Sequence, residues 1–315
     1  MSESGSFRRV VAAVPDMPER IHIGAVPDDV ELVLIGEEPS PLPDLTAVDF
    51  VVPTMRIRPA LLDVLAGPPG RLRVIQTLSA GVDWLVGKVP EHVTVCNAKG
   101  AFDGPLAEWV LGAILTMQRG LTRARDQQAK QDWTMFEPDE LAGRRVVILG
   151  LGSIGSAIAS RLAAFRVDVV GVARSAREGA LGLDALDGVL PTADILVNML
   201  PLTSETRGLM DARRLALLPD DALIVNGGRG RTIEAAALIA ELSSGRLRAV
   251  LDVTDPEPLP PDHPLWAMPN VLISPHIAGD SPAATIRTFE IAGAQLRRFA
   301  AGEPLQNVVP RYLLE

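Results

Sequence analysis

Short apolar stretches rich in Val, Ile and Leu alternate with polar breaks over the first third of the chain, at 9–14, 31–35, 48–52, 73–78 and 94–96. Such runs, partly β-branched and bounded by Pro, Gly and Asp, read as strands of a small open α/β sheet. Residues 106–121 (LAEWVLGAILTMQRGL) switch to helical spacing, and this helix is expected to continue with a polar surface toward Lys130. A second set of strands follows at 144–149, 167–173, 195–200, 222–226, 248–253 and 271–274, with helices at 156–165 and 234–242 between some of them. Residues 283–301 again read as a long helix, and 307–314 close the chain. The pattern predicts an α/β protein with two parallel-sheet domains. The first is split: 1–100 and 284–315 belong together, and 101–283 is inserted between them, with the two long helices as crossings. A cleft between two α/β domains is a natural place for a small ligand.

The stretch Gly150-Leu151-Gly152-Ser153-Ile154-Gly155 gives the inserted domain a chemistry. Alone, GxGxxG is only a glycine turn. Here a buried strand precedes it, and a helix with Ile158, Leu162 and Phe165 on one face follows, leading into a second strand. Strand, glycine turn, helix and strand form the unit that binds a dinucleotide. Gly150 makes the tight turn, Gly152 lets the backbone approach a pyrophosphate, and Gly155 lets helix pack against strand. The phosphates are expected at the helix N-terminus, where unbonded N–H groups and the positive dipole end favour anions.

Composition narrows the class. A chain of 315 residues suits about two domains. The net charge of −9 argues against nonspecific nucleic-acid binding. Cys96 is the single cysteine, so no intrachain disulfide can form, which fits a reducing compartment. Residues 1–20 lack an apolar leader core, and no apolar run is long enough for a bilayer, so the cytoplasm is the expected location and no membrane partner is expected. No metal site is expected.

Three strand ends carry residues suited to acid–base and anion chemistry. His276, in SPHIAG, follows the strand at 271–274, and histidine exchanges protons near neutral pH. His22, His92 and His263 lie in polar or Pro-rich segments and read as solvated. Glu257, in DVTDPEP, follows the strand at 248–253; a carboxylate beside His276 would fix its tautomer and favour its charged form. Arg229, in NGGRG, follows the strand at 222–226. The glycines around it suggest close backbone approach, and a guanidinium suits bidentate binding of a carboxylate and polarisation of an adjacent ketone.

Taken in order, these motifs make the chain similar to the D-isomer-specific 2-hydroxyacid dehydrogenase family, in particular to its glyoxylate/hydroxypyruvate reductase-like members. The glycine turn, the LPLTSET stretch (Leu200, Pro201 and on to Thr206), NGGRG, DVTDPEP and SPHIAG all resemble family motifs. The resemblance implies Arg229, Glu257 and His276 as the catalytic residues. It implies cofactor contacts at Gly150, Gly152, Ser153, Ile154, Gly155, Leu200, Pro201, Thr206, Gly227, Gly228, His276 and Gly279, with Asp252 meeting the nicotinamide carboxamide. Ser79, Ala80 and Gly81 resemble the loop whose backbone N–H groups hold the substrate carboxylate, together with Arg229 and His276. The implied fold is two Rossmann-like or flavodoxin-like domains, with the dinucleotide domain inserted into a split substrate domain. The implied assembly is a homodimer paired through the helix at 106–121.

One departure bears on the cofactor. Where many NAD-dependent members carry an acid for the adenosine ribose, this chain reads Val172-Ala173-Arg174-Ser175-Ala176-Arg177. The acid is missing at Ala173, and Arg174, Ser175 and Arg177 could hold a 2′-phosphate, so NADP is preferred over NAD. The expectation is an NADP-preferring reductase of small 2-ketoacids giving D-2-hydroxy acids. Two alternatives stay open. One is a dinucleotide-sensing, corepressor-like interaction protein, which the expected absence of an added tail disfavours. The other is an enzyme of the phosphoglycerate dehydrogenase kind, disfavoured by the expected absence of a regulatory domain. A formate dehydrogenase is disfavoured because those enzymes carry Gln where Glu257 stands.

Overall fold

The computed structural model describes residues 9–315. Residues 1–8, which belong to the expected 1–100 segment and to the stretch read as leaderless, lie outside the described residues. The chain divides into two compact units. One takes the described residues up to Phe102 together with Ser281–Glu315, and the other is Asp103–Asp280.

The first unit is built on five parallel strands: β1 (Val10–Pro15), β2 (Val30–Ile35), β3 (Phe50–Val51), β4 (Val74–Gln76) and β5 (Thr94–Cys96), in the order β2-β1-β3-β4-β5. This is the order of flavodoxin-like sheets. Side chains alternate across a strand, so one sheet feeds two cores. Ala13, Val51, Ile75 and Val95 face a cluster with Leu61, Leu65 and Leu85. Ala12, Val14, Phe50, Val74 and Cys96 face Phe289, Ala292 and Leu296 of the helix Pro282–Ala300. That helix starts cleanly because Ser281 caps it, accepting from the Ala284 N–H at 3.1 Å, and Pro282 occupies the first turn. Phe289 and Leu296 are fully buried, and each stabilises this packing by about 1.5–3 kcal/mol. The C-terminal segment adds a bridge between Val308 and Cys96 at the β5 edge.

The second unit carries six parallel strands: β6 (Arg145–Leu149), β7 (Asp168–Val172), β8 (Ile195–Asn198), β9 (Leu223–Asn226), β10 (Arg248–Leu251) and β11 (Val271–Ile273). Their order is β11-β10-β9-β8-β6-β7. Beyond β7 the pairing is reduced to one isolated parallel bridge, Val172 with Leu181. The β6–β8 neighbourhood is the switch point, where consecutive strands leave on opposite sides and a crevice opens at their carboxyl ends. One sheet face packs Val146, Ile148, Val197 and Val225 against Val110, Ile114, Ile158 and Leu162. The other packs Leu149, Leu196 and Ile224 against Leu186, Leu215 and Leu238.

The elements differ from the sequence expectation in instructive places. The helix expected to run unbroken toward Lys130 is two helices, Asp103–Gln118 and Leu121–Ala129. Gly120 separates them at φ +61°, a left-handed conformation that ends the first helix. The helix expected at 156–165 begins at Ser153, so the second half of the glycine motif is already its first turn. His263, expected to be solvated, is half-buried, and its Nδ1 caps a short turn by accepting from the Leu265 N–H at 3.4 Å.

Candidate active site

Because all six strands of the second unit are parallel, every motif that follows a strand end lies on the same edge of that sheet. The glycine turn follows β6, Ala173 and Arg174 follow β7, Leu200 follows β8, Arg229 follows β9, Asp252 follows β10, and Ser274 and His276 follow β11.

The turn after β6 is shaped by what a side chain would strike. Gly150 sits at φ +94°, and a Cβ there would lie 2.8 Å from the Met199 carbonyl oxygen. A Cβ at Gly155 would lie 2.2 Å from the Gly150 carbonyl oxygen. The turn therefore closes against both its own helix and the segment leaving β8. Gly152 caps the helix Ser153–Leu162, whose first N–H groups, including those of Ser153 and Ile154, lack intrahelical acceptors by geometry. This cradle fits a dinucleotide pyrophosphate. The Ser153 hydroxyl itself is turned onto the carboxylate of Asp103.

At the end of β7, Ala173 is buried, with its N–H bonded to the Leu181 carbonyl at 2.8 Å. Arg174, Ser175 and Arg177 are exposed. Arg177 donates to the carbonyl of Leu151, inside the glycine turn. Arg174 makes an ion pair with Glu205, Nη2 to Oε1 at 2.7 Å, each side chain about half exposed. Glu205 is a residue the sequence reading passed over as part of PLTSET. Its signal is an acid in the loop after β8 opposite a base after β7, visible only once the strand order is known. Within that loop Leu200 is buried, and Thr206 holds Pro201 in place: its hydroxyl donates to the Pro201 carbonyl at 2.6 Å and accepts from the Thr203 N–H at 2.8 Å.

His276 and Glu257 come together. Nδ1 of His276 lies 2.5 Å from Oε1 of Glu257, and both side chains are partly open to solvent. A carboxylate accepts, so Nδ1–H donates to it, and Nε2 is left to exchange a proton. His276 occupies the left-handed region at φ +55°. That conformation is uncommon for a residue with a side chain and persists only where its surroundings impose it. Asp252 imposes it. Its backbone carbonyl accepts the His276 N–H at 2.9 Å. Its carboxylate, 4 % exposed, accepts from the Ser274 hydroxyl at 2.6 Å, the Ile277 N–H at 2.9 Å and the Ala278 N–H at 3.0 Å. Asp252, for which the resemblance implies a carboxamide contact, is here the residue that builds the histidine turn. Gly279 lies in the turn closed by the Asp280 N–H on the Ile277 carbonyl.

Arg229 is extended, at φ −142° and ψ 136°, and half-buried. Its Nη1 donates to the Gly228 carbonyl at 2.7 Å. Gly227 and Gly228 form the turn before it, with the Gly228 N–H on the Asn226 side chain at 3.1 Å. Arg229, Glu257 and His276 therefore leave three neighbouring strands, β9, β10 and β11.

In the first unit, Ser79, Ala80 and Gly81 follow β4. The Ser79 carbonyl accepts from the Thr77 hydroxyl at 2.8 Å and the Ala98 N–H at 3.0 Å. The Ala80 carbonyl accepts from Asn97 at 2.8 Å, and the Gly81 carbonyl from the Ser79 hydroxyl at 2.8 Å. The C=O and N–H of a trans peptide point in opposite directions within its plane, so the N–H groups of Ala80, Gly81 and Val82 are turned away from those donors.

A dinucleotide-type parallel sheet that carries a histidine–carboxylate pair and a glycine-framed arginine at its strand ends is an arrangement suited to an oxidoreductase. Comparison with known proteins makes the class specific. The sequence profile of the D-isomer specific 2-hydroxyacid dehydrogenase NAD binding domain matches residues 111–278, and the chain belongs to that family. It is 33% identical over 270 residues to a glyoxylate reductase of Aeropyrum pernix, covering 80% of each chain. Among solved structures, a D-isomer specific 2-hydroxyacid dehydrogenase of Xanthobacter autotrophicus, in complex with NADPH and MES, superposes with a TM-score of 0.81. The two are 33% identical, over 96% of this chain and 98% of that one. An NADPH-dependent glyoxylate/hydroxypyruvate reductase of Sinorhizobium meliloti, in complex with NADP and sulfate, superposes with a TM-score of 0.83. The two are 29% identical, over 98% of this chain and 100% of that one. Among the described residues, no helix is long and apolar enough to cross a membrane.

Proposed function

We propose that this protein is an NADPH-preferring reductase of small 2-ketoacids, of the glyoxylate and hydroxypyruvate kind, giving D-2-hydroxy acids. The observation that carries the reading is the His276–Glu257 pair, set on the strand-end edge that also bears the glycine cradle. When bound, reduced nicotinamide supplies the hydride. His276, protonated and oriented through Nδ1 by Glu257, gives its Nε2 proton to the substrate oxygen. Arg229 holds the substrate carboxylate and polarises the ketone. The turn formed by Ser79, Ala80 and Gly81 offers backbone N–H groups to a carboxylate. Gly150, Gly152, Ser153, Ile154 and Gly155 hold the pyrophosphate, Leu200, Pro201 and Thr206 line the adenosine side, and Gly227, Gly228, Asp252 and Gly279 the nicotinamide side.

The NADPH preference rests on Ala173, which offers no carboxylate to the ribose, and on Arg174, Ser175 and Arg177 beside it. The reductases and dehydrogenases in complex with NADP or NADPH support it; NAD remains the second cofactor. We assign the first unit to substrate and the second to dinucleotide. A homodimer is the proposed assembly, consistent with exposed Leu121, Trp133 and Met135 in the segment after the helix Asp103–Gln118. The proposed location is the cytoplasm, consistent with the single, buried Cys96.

The test is a panel of 2-ketoacids offered with NADPH and with NADH, followed by loss of reduced-nicotinamide absorbance. Turnover of glyoxylate or hydroxypyruvate, abolished by His276→Ala with dinucleotide binding kept, is the expected result. Dinucleotide binding without turnover of any 2-ketoacid would replace it with the sensing reading.

A further inference from the structure

Beneath the Arg229 turn lies a small polar cluster in an otherwise apolar core. Asn198, Asn226 and Thr232 are 0, 1 and 0 % exposed. Asn198 ends β8 and Asn226 ends β9; Thr232 lies in the turn after Arg229. Burying three polar side chains is costly unless every donor and acceptor is met, and here they are met by one another and by two functional loops. Asn198 Nδ2 donates to the Thr232 hydroxyl at 2.6 Å and to Asn226 Oδ1 at 3.2 Å. Asn226 Oδ1 also accepts the Gly228 N–H at 3.1 Å, and Asn198 Oδ1 accepts the Leu200 N–H at 3.3 Å. Both backbone partners can only donate, which fixes which way each amide faces.

All of this converges on one atom. The Arg229 carbonyl oxygen accepts from the Thr232 hydroxyl at 2.6 Å, from Asn226 Nδ2 at 3.2 Å and from the Thr232 N–H at 3.3 Å. A carbonyl with two lone pairs is thus over-supplied with donors, which leaves the Arg229 backbone little freedom. The loop after β8 is pressed against the same turn: a Cβ at Gly228 would lie 2.8 Å from the Leu200 carbonyl oxygen and 3.1 Å from that of Asn198.

We infer that Asn198, Asn226 and Thr232 are positioning residues for Arg229, fixing where its guanidinium meets the substrate carboxylate through the hydrogen bonds on its backbone carbonyl. The inference rests on the Arg229 role proposed above. Bidentate recognition requires the fork to be placed to a fraction of an ångström, and a misplacement of about 1 Å can cost about a hundredfold in rate. The cluster's three side chains reach Arg229 through its turn, and their tie to the loop after β8 is the single bond from the Leu200 N–H to Asn198, which Thr232→Val leaves in place.

The experiment compares Thr232→Val, which keeps the shape but deletes the hydroxyl, with Thr232→Ser, which keeps the hydroxyl, and with Arg229→Ala. Steady-state kinetics on the preferred 2-ketoacid, NADPH binding by fluorescence titration and thermal midpoint are measured for each. The expected result is a drop of tenfold or more in kcat/KM for Thr232→Val, falling mainly on the KM for the 2-ketoacid, with the NADPH Kd within twofold of the parent. Thr232→Ser should recover kcat/KM to within about threefold. Should Thr232→Val not fold, Thr232→Ser and Asn226→Ser carry the comparison, the first near parental and the second raised in KM. The inference is overturned if Arg229→Ala is crippled while Thr232→Val is parental, or if Thr232→Ser is impaired as much as Thr232→Val. If Arg229→Ala is itself near parental, the proposed role of Arg229 has failed first.

Discussion

Asp252→Asn is the sharpest perturbation the second unit offers, because it changes one oxygen into an NH₂ and nothing else. The carboxylate spends Oδ1 on the Ser274 hydroxyl and the Ile277 N–H, and Oδ2 on the Ala278 N–H. In the amide, one position must present hydrogens to a partner that has only hydrogens to offer. With the carbonyl kept at Oδ1, the NH₂ faces the Ala278 N–H, leaving a buried donor unmet at about 1–3 kcal/mol. The two bonds retained fall from charge-assisted to neutral strength, about 1 kcal/mol each. Removing a buried charge returns part of this through relieved desolvation, so the net loss is about 2–4 kcal/mol. In a unit of this size that lowers the thermal midpoint by roughly 4–16 °C. The same change loosens the turn that holds His276 at φ +55°, so kcat should fall at least tenfold. Differential scanning calorimetry, kcat and the NADPH Kd should be measured together. A variant that melts within about 2 °C of the parent and turns over normally would refute the reasoning. An intact melting point with a weakened NADPH Kd would instead assign Asp252 to the carboxamide alone.

The remaining expectations are narrower. Glu257→Gln should lower kcat about tenfold or more, because the short bond to Nδ1 loses its charge assistance, and should leave the NADPH Kd unchanged; parental kcat would mean the pair does not serve proton transfer. Ala173→Asp with Arg174→Ala should shift preference from NADPH toward NADH, by about ten- to a hundredfold, and a parent that prefers NADH would overturn the cofactor assignment outright. Asp187 is held down to about 2 by the guanidinium groups of Arg213 and Arg214. Its contribution to stability should be complete above its ordinary value of 3.8 and vanish as pH falls through about 2, so Asp187→Asn should flatten the acid limb of a melting-point profile between those values. Burial pushes the Cys96 thiol up to about 11, so maleimide should label it slowly near neutral pH in the folded protein and fast in denaturant.

What the sequence determined by itself was local. Each strand of the dinucleotide unit is short, apolar and bounded by turn residues, so its position could be read within a residue or two. The glycine turn was legible because Gly150 and Gly155 occupy places where any Cβ would strike a backbone carbonyl. The strand-end placement of Arg229, Glu257 and His276 was legible because parallel strands deliver every strand-end motif to one edge. The break at Gly120 was not, since a glycine inside a helical pattern can be tolerated there or can end the helix. Pairings between side chains distant in the chain were left to the tertiary structure. Glu205 lies 31 residues from Arg174, and Asn198 lies 34 from Thr232; neither spacing carries a periodic signal. Those contacts follow from the strand order β9-β8-β6-β7, which sets the loops after them side by side. Hydrophobic patterning says that a strand is buried but not which strand it pairs with. Sheet pairing is decided by the packing of the whole unit, and the polar cluster under Arg229 becomes visible only there.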